Sequence, residues 1–423
     1  MNAIHICSLK GQKQLLNLPL KLLLSFLIIT EVLFFIGPII YDINSEWKIG
    51  IYLFLNNTAL ALGYNCGKKR YVYRGDSKPY SIKTLHIYIV LYLLIIPIRI
   101  HALWGISPLS LSGILNQIMV GLQNPGEVYS AKLELVSGLT AYLNIILSPL
   151  TYIAIVRVIL ERKNLKGVWL CFGGMVILWE FLIPIGQGVR KGVLDLLLML
   201  IFLCVASNQG LVIDKLKRRK VFVFALIVGC AFISYFIYSN MSRYNIDDIS
   251  ILLNENGIYS DIRTTYNNLN PYLVAGLCSI EGYLCQGYYA LSKALELPFT
   301  YTFGMGSSWF GLNLLNRFGI RLLPFTYVGQ LEKLGIDPMI NWHSIYTWLA
   351  SDFTFVGVPI FIFFMGFFLS TTWLDVLTKR SVYAAPMFIL FAIMTFYSFA
   401  NNQVFSLSFI AFIVIFLLWY KFR

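Results

Sequence analysis

"GQGVRKGVLDLLLMLIFLCVAS", residues 186–207, sets two adjacent cations, Arg190 and Lys191, at the mouth of an apolar run that could cross most of a bilayer. On the cytoplasmic side such a pair is an ordinary anchor. On the opposite side it breaks the rule that Lys and Arg collect on the cytoplasmic face. The answer depends on the topology of the whole chain, and composition sets the frame. Of the 423 residues 58% are hydrophobic and 13% charged, with a mean hydropathy of +0.72. That balance is foreign to a soluble domain and reads as an all-α integral membrane protein.

A spanning helix needs about 20 mostly apolar residues, and ten stretches qualify: 20–41, 47–65, 82–100, 138–160, 166–184, 188–207, 220–239, 354–374, 382–400 and 403–420. The connectors between them alternate in charge. Lys10, Lys13 and Lys21 mark the first span; Lys68, Lys69, Arg70, Arg74 and Lys78 follow the second; Arg162, Lys163 and Lys166 follow the fourth. Lys215, Lys217, Arg218, Arg219 and Lys220 follow the sixth, Lys379 and Arg380 the eighth, and Lys421 and Arg423 the tenth. Every even-numbered connector is basic, so both termini are expected in the cytoplasm. The turn carrying Arg190 and Lys191 then faces outward, against the rule. A cation kept near the membrane on that side is a functional candidate, because drawing it into the apolar core costs up to roughly 3 kcal/mol. The plainer alternative is a solvated anchor reaching for headgroups.

The N-terminal run has basic residues before it but no small-residue cleavage site after it, which reads as a retained span. Seven cysteines show no CxxC pair and no metal-ligand spacing, so neither a metal site nor a disulfide framework is expected. The net charge of +13 is spread over short clusters between apolar runs, which argues for topology rather than nucleic acid. Two outer connectors are long. Residues 101–137 contain "PLSLSGILNQIMVGL", whose Leu111, Ile114, Leu115 and Ile118 suit an interfacial helix. Residues 240–352 are rich in Tyr, Asn and Gly and form an expected outer cap, with a helix over 272–297. Residues 1–423 thus read as a single polytopic membrane domain carrying an outer cap loop at about 240–352.

No Walker lysine motif, HExxH or GxSxG elbow occurs, which removes most support for ATP-driven transport and serine hydrolysis. What remains on the outer side is Arg190, Lys191, Arg243, Arg263, Arg317, Arg321 and His343. Arginine binds phosphate oxygens in pairs and stays charged, so several around one cavity would hold a pyrophosphate. Arg317 and Arg321, four residues apart, would share a helical face. In "NWHSIYTWLASDFTF" His343 is a candidate general base for a sugar hydroxyl or a hydrogen-bond donor to a phosphate oxygen, and Asp352 a second candidate base. A lone histidine is more often structural, and a carboxylate at a span's outer end also suits a helix N-terminus. Glu31, Glu180 and Asp195, in or near spans, read as ligands of neighbouring helices rather than a proton relay.

Three stretches carry a family resemblance: "QGVRKGVLDLLL" (187–198), "LCQGYYALSKALELPFTYTFGMGSSWF" (284–310) and "WHSIYTWLASDFTFVGVPIFIFFMGFF" (342–368). They resemble stretches of the bacterial O-antigen polymerases, the Wzy-type oligosaccharide repeat-unit polymerases. The resemblance implies a GT-C-like, metal-independent polytopic glycosyltransferase of the bacterial inner membrane with its active site on the periplasmic face. It implies no cofactor, an undecaprenyl pyrophosphate-linked glycan as substrate and membrane lipid as surroundings, and it admits a chain-length regulator protein as a further partner. Arg190 matches the family's arginine after a glycine-rich turn, where pyrophosphate binding is expected. Lys191, Arg243, Arg317 and Arg321 are the further substrate-binding candidates, with Tyr288, Tyr289, Tyr301 and Trp309 as sugar-stacking rings. The related ligases carry a glycine nine intervening residues after their His-Asn, His-Ser or His-Gln pair; here twelve separate Ser344 from Gly357. Paired Arg-x10-Gly motifs are absent, since Ile201 and Asn254 stand where those glycines would.

Two other functions stay open at this stage. A flippase or transporter of the same lipid-linked sugar would string polar residues across the spans, whereas these cations gather on one side. An O-antigen ligase would differ in its acceptor, lipid A core rather than a second repeat unit.

Overall fold

The computed structural model describes residues 13–72, 81–125, 139–207, 259–266, 268–378 and 381–423, with isolated positions 128, 223, 229 and 234. Arg243 and most of the expected seventh span, 220–239, lie outside the described residues. The chain is an all-α membrane protein. Its helices are α1 (Leu18–Ile36), α2 (Glu46–Arg70), α3 (Ile82–Trp104), α4 (Leu111–Gln123), α5 (Leu139–Glu161), α6 (Val168–Gly186) and α7 (Arg190–Ser207). Then come α8 (Pro271–Ala294), α9 (Trp309–Arg317), α10 (Tyr327–Glu332), α11 (Ser344–Leu377), α12 (Ala384–Phe396), α13 (Gln403–Leu407) and α14 (Phe409–Phe422).

Among the described residues, α1, α3, α5 with its 3-10 extension, α6 and α11 are long and apolar enough to cross a membrane. The other stretches read as spans depart in three ways. Helices α2 and α7 have the length but carry polar side chains. Helix α12 and the 3-10 turn after it are shorter, and 403–420 is broken at Ser408 into α13 and α14. The first span, drawn to Tyr41, stops at Ile36, because the residue before Pro38 is pushed out of the helical region. Ile39–Tyr41 (β1) instead pairs antiparallel with Tyr259–Ile262 (β2), Ile39 opposite Ile262.

Helices α2 and α11 make the most extensive pairing, and glycine explains it. A Cβ at Gly63 would fall 1.9 Å from the Phe363 carbonyl oxygen, and one at Gly366 2.3 Å from that of Leu60. The spacing of Gly63 and Gly67 is a small-xxx-small seam, which lets two backbones approach closely where lipid supplies no hydrophobic drive. Helix α11 reaches back beyond the expected start at 354. It is two helices end to end, 344–353 and 355–377, broken at Thr354 where φ is 59°.

The main charged groups inside the bundle are paired, as a medium without water favours. Asn57 donates to both Glu31 oxygens at 2.8 Å. Arg99 on α3 bridges Glu180 on α6, with Tyr92 donating to the same carboxylate. Arg157 holds Glu161 and Thr84. Glu31 and Glu180 thus serve as ligands of neighbouring helices, while Asp195 pairs with Lys191 on its own helix and also interacts with Tyr397, just beyond α12.

The basic connectors meet at one end of the bundle. Tyr71 donates to the buried Asp375, and Trp419 and Arg423 converge on the same carboxylate. Lys68 reaches Asn17, and Arg162 reaches Ser207. The opposite, far end gathers the β1–β2 pair, α8, α4 and the turn before α7. There Gln117 of α4 donates to the Gly186 carbonyl, while Leu111, Leu115, Met119 and Leu122 form an exposed apolar row on the same helix.

Candidate functional site

The mouth of α7 is built by a turn that only glycine accommodates. Gly188 has φ of 63°, and a Cβ there would sit 2.2 Å from the Pro125 carbonyl oxygen. The turn closes with Gly188 and Val189 donating to Ile185 and Pro184, and Arg190 is the first residue of the helix. It therefore opens the helix at the positive end of the α7 dipole, where an anion is favoured.

Lys191 follows within the same turn. It pairs with Asp195 one helical turn on, and its ammonium lies 5.0 Å over the Tyr397 ring. Tyr397 closes the far end of the α12 segment and donates to the Lys191 carbonyl. Asp195, Tyr283 of α8 and Tyr152 of α5 also stand near this tyrosine. Tyr283 in turn packs edge-on against Trp342, centroids 5.6 Å apart. Arg190, Lys191, Tyr283, Trp342 and Tyr152 are all half-buried, and Tyr397 is buried. Two cations at a helix N-terminus with half-buried aromatic rings nearby suit a ligand that joins an anion to sugar rings.

A second polar group sits beside this one and is closed. Ala400 accepts from the His343 and Ser344 amides at 3.0 and 2.6 Å, and Asn401 accepts from Trp348 Nε1 at 2.7 Å. His343 is fully buried. Its Nδ1 faces the Asn341 carbonyl at 2.9 Å and its Nε2 the Ile336 carbonyl at 3.1 Å. Burial lowers its pKa to about 4, so the ring is neutral at ordinary pH. Both ring nitrogens are turned to backbone carbonyls inside the protein, which argues against the expected general base: the fully buried ring presents neither nitrogen to a substrate hydroxyl.

Asp352 is corrected in the same way. Its Oδ1 accepts from Thr302 Oγ1 at 2.6 Å and Gly306 N at 3.2 Å, and its Oδ2 from Ser307 N at 2.7 Å. The carboxylate organises the 302–307 loop, and Asn402 anchors that loop by donating to the Ser307 carbonyl.

The expected sugar-stacking rings divide. Tyr288 is buried, with its hydroxyl 2.8 Å from Thr30, and Tyr289 is buried beside Tyr41, so both are packing residues of α8. Trp309 packs edge-on against Trp348. Tyr301 is half exposed in an aromatic group with Phe299 and Phe303. Arg317 and Arg321 do not share a helical face, because α9 ends at Arg317 and the chain turns through Gly319. Arg317 lies over the Tyr142 ring of α5 at 5.0 Å. Arg263 is structural: its Nε and an Nη donate to Gly37 and Phe35, capping the carbonyls of α1.

Sequence reasoning passed over Tyr283, Trp342, Tyr397, Asn401, Asn402 and Glu281. The asparagine pair was visible as two amides in an apolar run, "SFANNQVF". Glu281 is fully buried and accepts from Ile39 N at 2.9 Å. Burial pushes its pKa up to about 8 against the opposing pull of that bond and of Arg263. Among the described residues no group of His, Cys, Asp and Glu could hold a metal ion. Comparison of the chain with family models, curated proteins and solved structures finds no match.

Proposed function

We propose that this protein is a polymerase of undecaprenyl pyrophosphate-linked oligosaccharide repeat units, acting at the periplasmic face of a bacterial inner membrane to build O-antigen or a related surface polysaccharide. The observation that carries the reading is the half-buried group at the mouth of α7, with Arg190 and Lys191 at a helix N-terminus, Lys191 over the Tyr397 ring, and Tyr283 packed on Trp342. It lies at the end of the bundle away from the basic connectors, the side on which a lipid-linked donor would present its headgroup.

In this scheme Arg190 holds the pyrophosphate, and Lys191, partly neutralised by Asp195, adds to the local positive field. The bond from the anomeric carbon to the pyrophosphate oxygen breaks, and a bond to a hydroxyl of the incoming unit's non-reducing-end sugar forms. Fixed positive charge stabilises the departing pyrophosphate, and the hydroxyl proton leaves to water. Tyr283 and Trp342 take the sugar faces. The reaction consumes no nucleotide, and a chain-length regulator protein would act on the number of cycles.

The test is incubation of purified protein with a synthetic undecaprenyl pyrophosphate-linked repeat unit, without nucleotide, followed by gel analysis of glycan length. A ladder is expected. Movement of the same lipid across vesicle membranes with no new glycosidic bond would replace the polymerase with a transporter. Transfer to lipid A core alone would identify a ligase.

A further inference from the structure

The 299–305 loop, "FTYTFGM", presents Phe299, Tyr301, Phe303 and Met305 as a row of exposed side chains at alternate positions. Phe303, at the tip, is 73% exposed and has φ of 56°, a conformation bulky residues rarely adopt, and Gly304 follows at 77°. Nothing crowds the tip, since a Cβ at Gly304 would meet no atom within 4 Å. The base, by contrast, is fixed. Thr302 donates to the Ser351 carbonyl and to Asp352, and Asp352 holds Gly306 and Ser307. Phe299 leans on Tyr327, which leans on Phe355 of α11.

The fixed base sets the height of the prong against α11. Directly beyond Asp352, Phe353 and then Val356, Ile360 and Phe364 are exposed at helical spacing, Val356 by 84%. That stripe belongs to a helix long and apolar enough to cross a membrane, so it faces acyl chains. Asp352, which holds the base of the prong, immediately precedes Phe353, so the base stands at the level where the stripe begins. Three aromatic rings and a methionine held rigidly there would be costly in water, whereas aromatics at the membrane boundary are stable.

We propose that the 299–305 prong is seated in the outer leaflet of the bilayer, with its aromatic row among the acyl chains next to the headgroups. Tyr301 then contacts lipid rather than sugar. Asp352 acts as the pin that sets the depth of insertion and ties the cap to the membrane surface. This seating needs no glycan substrate and stands apart from the proposed enzymatic activity.

The experiment places the full protein in nanodiscs of phosphatidylethanolamine and phosphatidylglycerol containing a lipid with a diazirine near the acyl carbonyl. Irradiation and peptide mapping read the lipid adducts, and hydroxyl-radical footprinting of the same sample reads water access at Tyr301 and Met305. Adducts are expected on the 299–305 peptide as well as on the 356–364 peptide, which serves as internal standard, with slow oxidation of Tyr301 and Met305. Phe303→Asp should remove the prong adducts and speed that oxidation while the 356–364 adducts persist. An unlabelled prong, rapid oxidation of Tyr301 and Met305 in the wild type, or no response to Phe303→Asp would each overturn the proposal.

Discussion

Two polar clusters sit side by side at the far end of the bundle, and they handle polarity in opposite ways. In the seam of His343, Asp352, Asn401 and Asn402, most of the key side chains are buried, and their polar atoms meet fixed partners inside the protein. At the mouth of α7 the cations, Tyr283 and Trp342 are half-buried, and Lys191 lies over the buried Tyr397 ring. A matched, buried network specifies a shape, because leaving any member unpaired costs its full desolvation. A half-buried group keeps part of its surface for solvent or a ligand. Residue type alone does not separate the two, since the histidine that invites a catalytic reading belongs to the seam.

The largest test of this contrast is Arg190→Ala. It should cut formation of long glycan by about a hundredfold or more, the scale of losing a fixed charge at a developing anion, with protein abundance in the membrane unchanged. Normal chain length in that variant would remove its assigned role. Asp352→Asn should do the reverse. An amide cannot accept the three bonds of the 302–307 loop, so stability should drop by about 1–3 kcal/mol, read as a lower unfolding temperature in detergent. Retained stability with lost polymerisation would move Asp352 into the open site.

A pH test sharpens the closed side, through His343 of the seam and the separately buried Glu281. Burial raises Glu281 to about 8, so the native state keeps a proton that the unfolded chain, near 4.5, has lost. Its contribution is complete below pH 4.5 and is lost as pH rises through 8. Lowered to about 4 from 6.5, His343 does the opposite and loses its contribution as pH falls from 6.5 toward 4. Between 4.5 and 6.5 the two slopes cancel, and from 6.5 to 8 Glu281 alone should cost about 2 kcal/mol. Unfolding temperature should therefore fall over that alkaline range in the wild type and stay flatter in Glu281→Gln. An equal fall in both would show that Glu281 is ionised throughout. The smallest effect belongs to Lys191→Met, expected to slow polymerisation by less than about tenfold, since Asp195 already offsets that charge. Parity with Arg190→Ala would make the pair a joint anion clamp.

Much of the architecture was legible because lipid imposes few choices. Helices α1, α3, α5 and α6 fall where apolar runs of sufficient length stand, and the helix over 271–294 was visible in the cap. Contacts less regular than periodicity escaped. The stop at Gly37-Pro38, the strand that follows it and the break at Thr354 depend on local backbone geometry and on what packs opposite. The candidate site was half legible: Arg190 and Lys191 stood out by breaking a charge rule, whereas Tyr283, Trp342 and Tyr397 come from three separate segments.

By itself, then, the amino-acid sequence determined that this is a helical membrane protein and that its conspicuous cations stand apart from the basic connectors. Hydropathy and charge act residue by residue along the chain and can be summed from it. Only the tertiary structure decided that His343 and Asp352 are spent inside the protein and that Tyr288 is core. It also brought two cations and the aromatic rings from α8 and the α12 segment to one mouth. Whether a polar atom is satisfied depends on which distant backbone it meets, and that is a property of packing rather than of order along the chain.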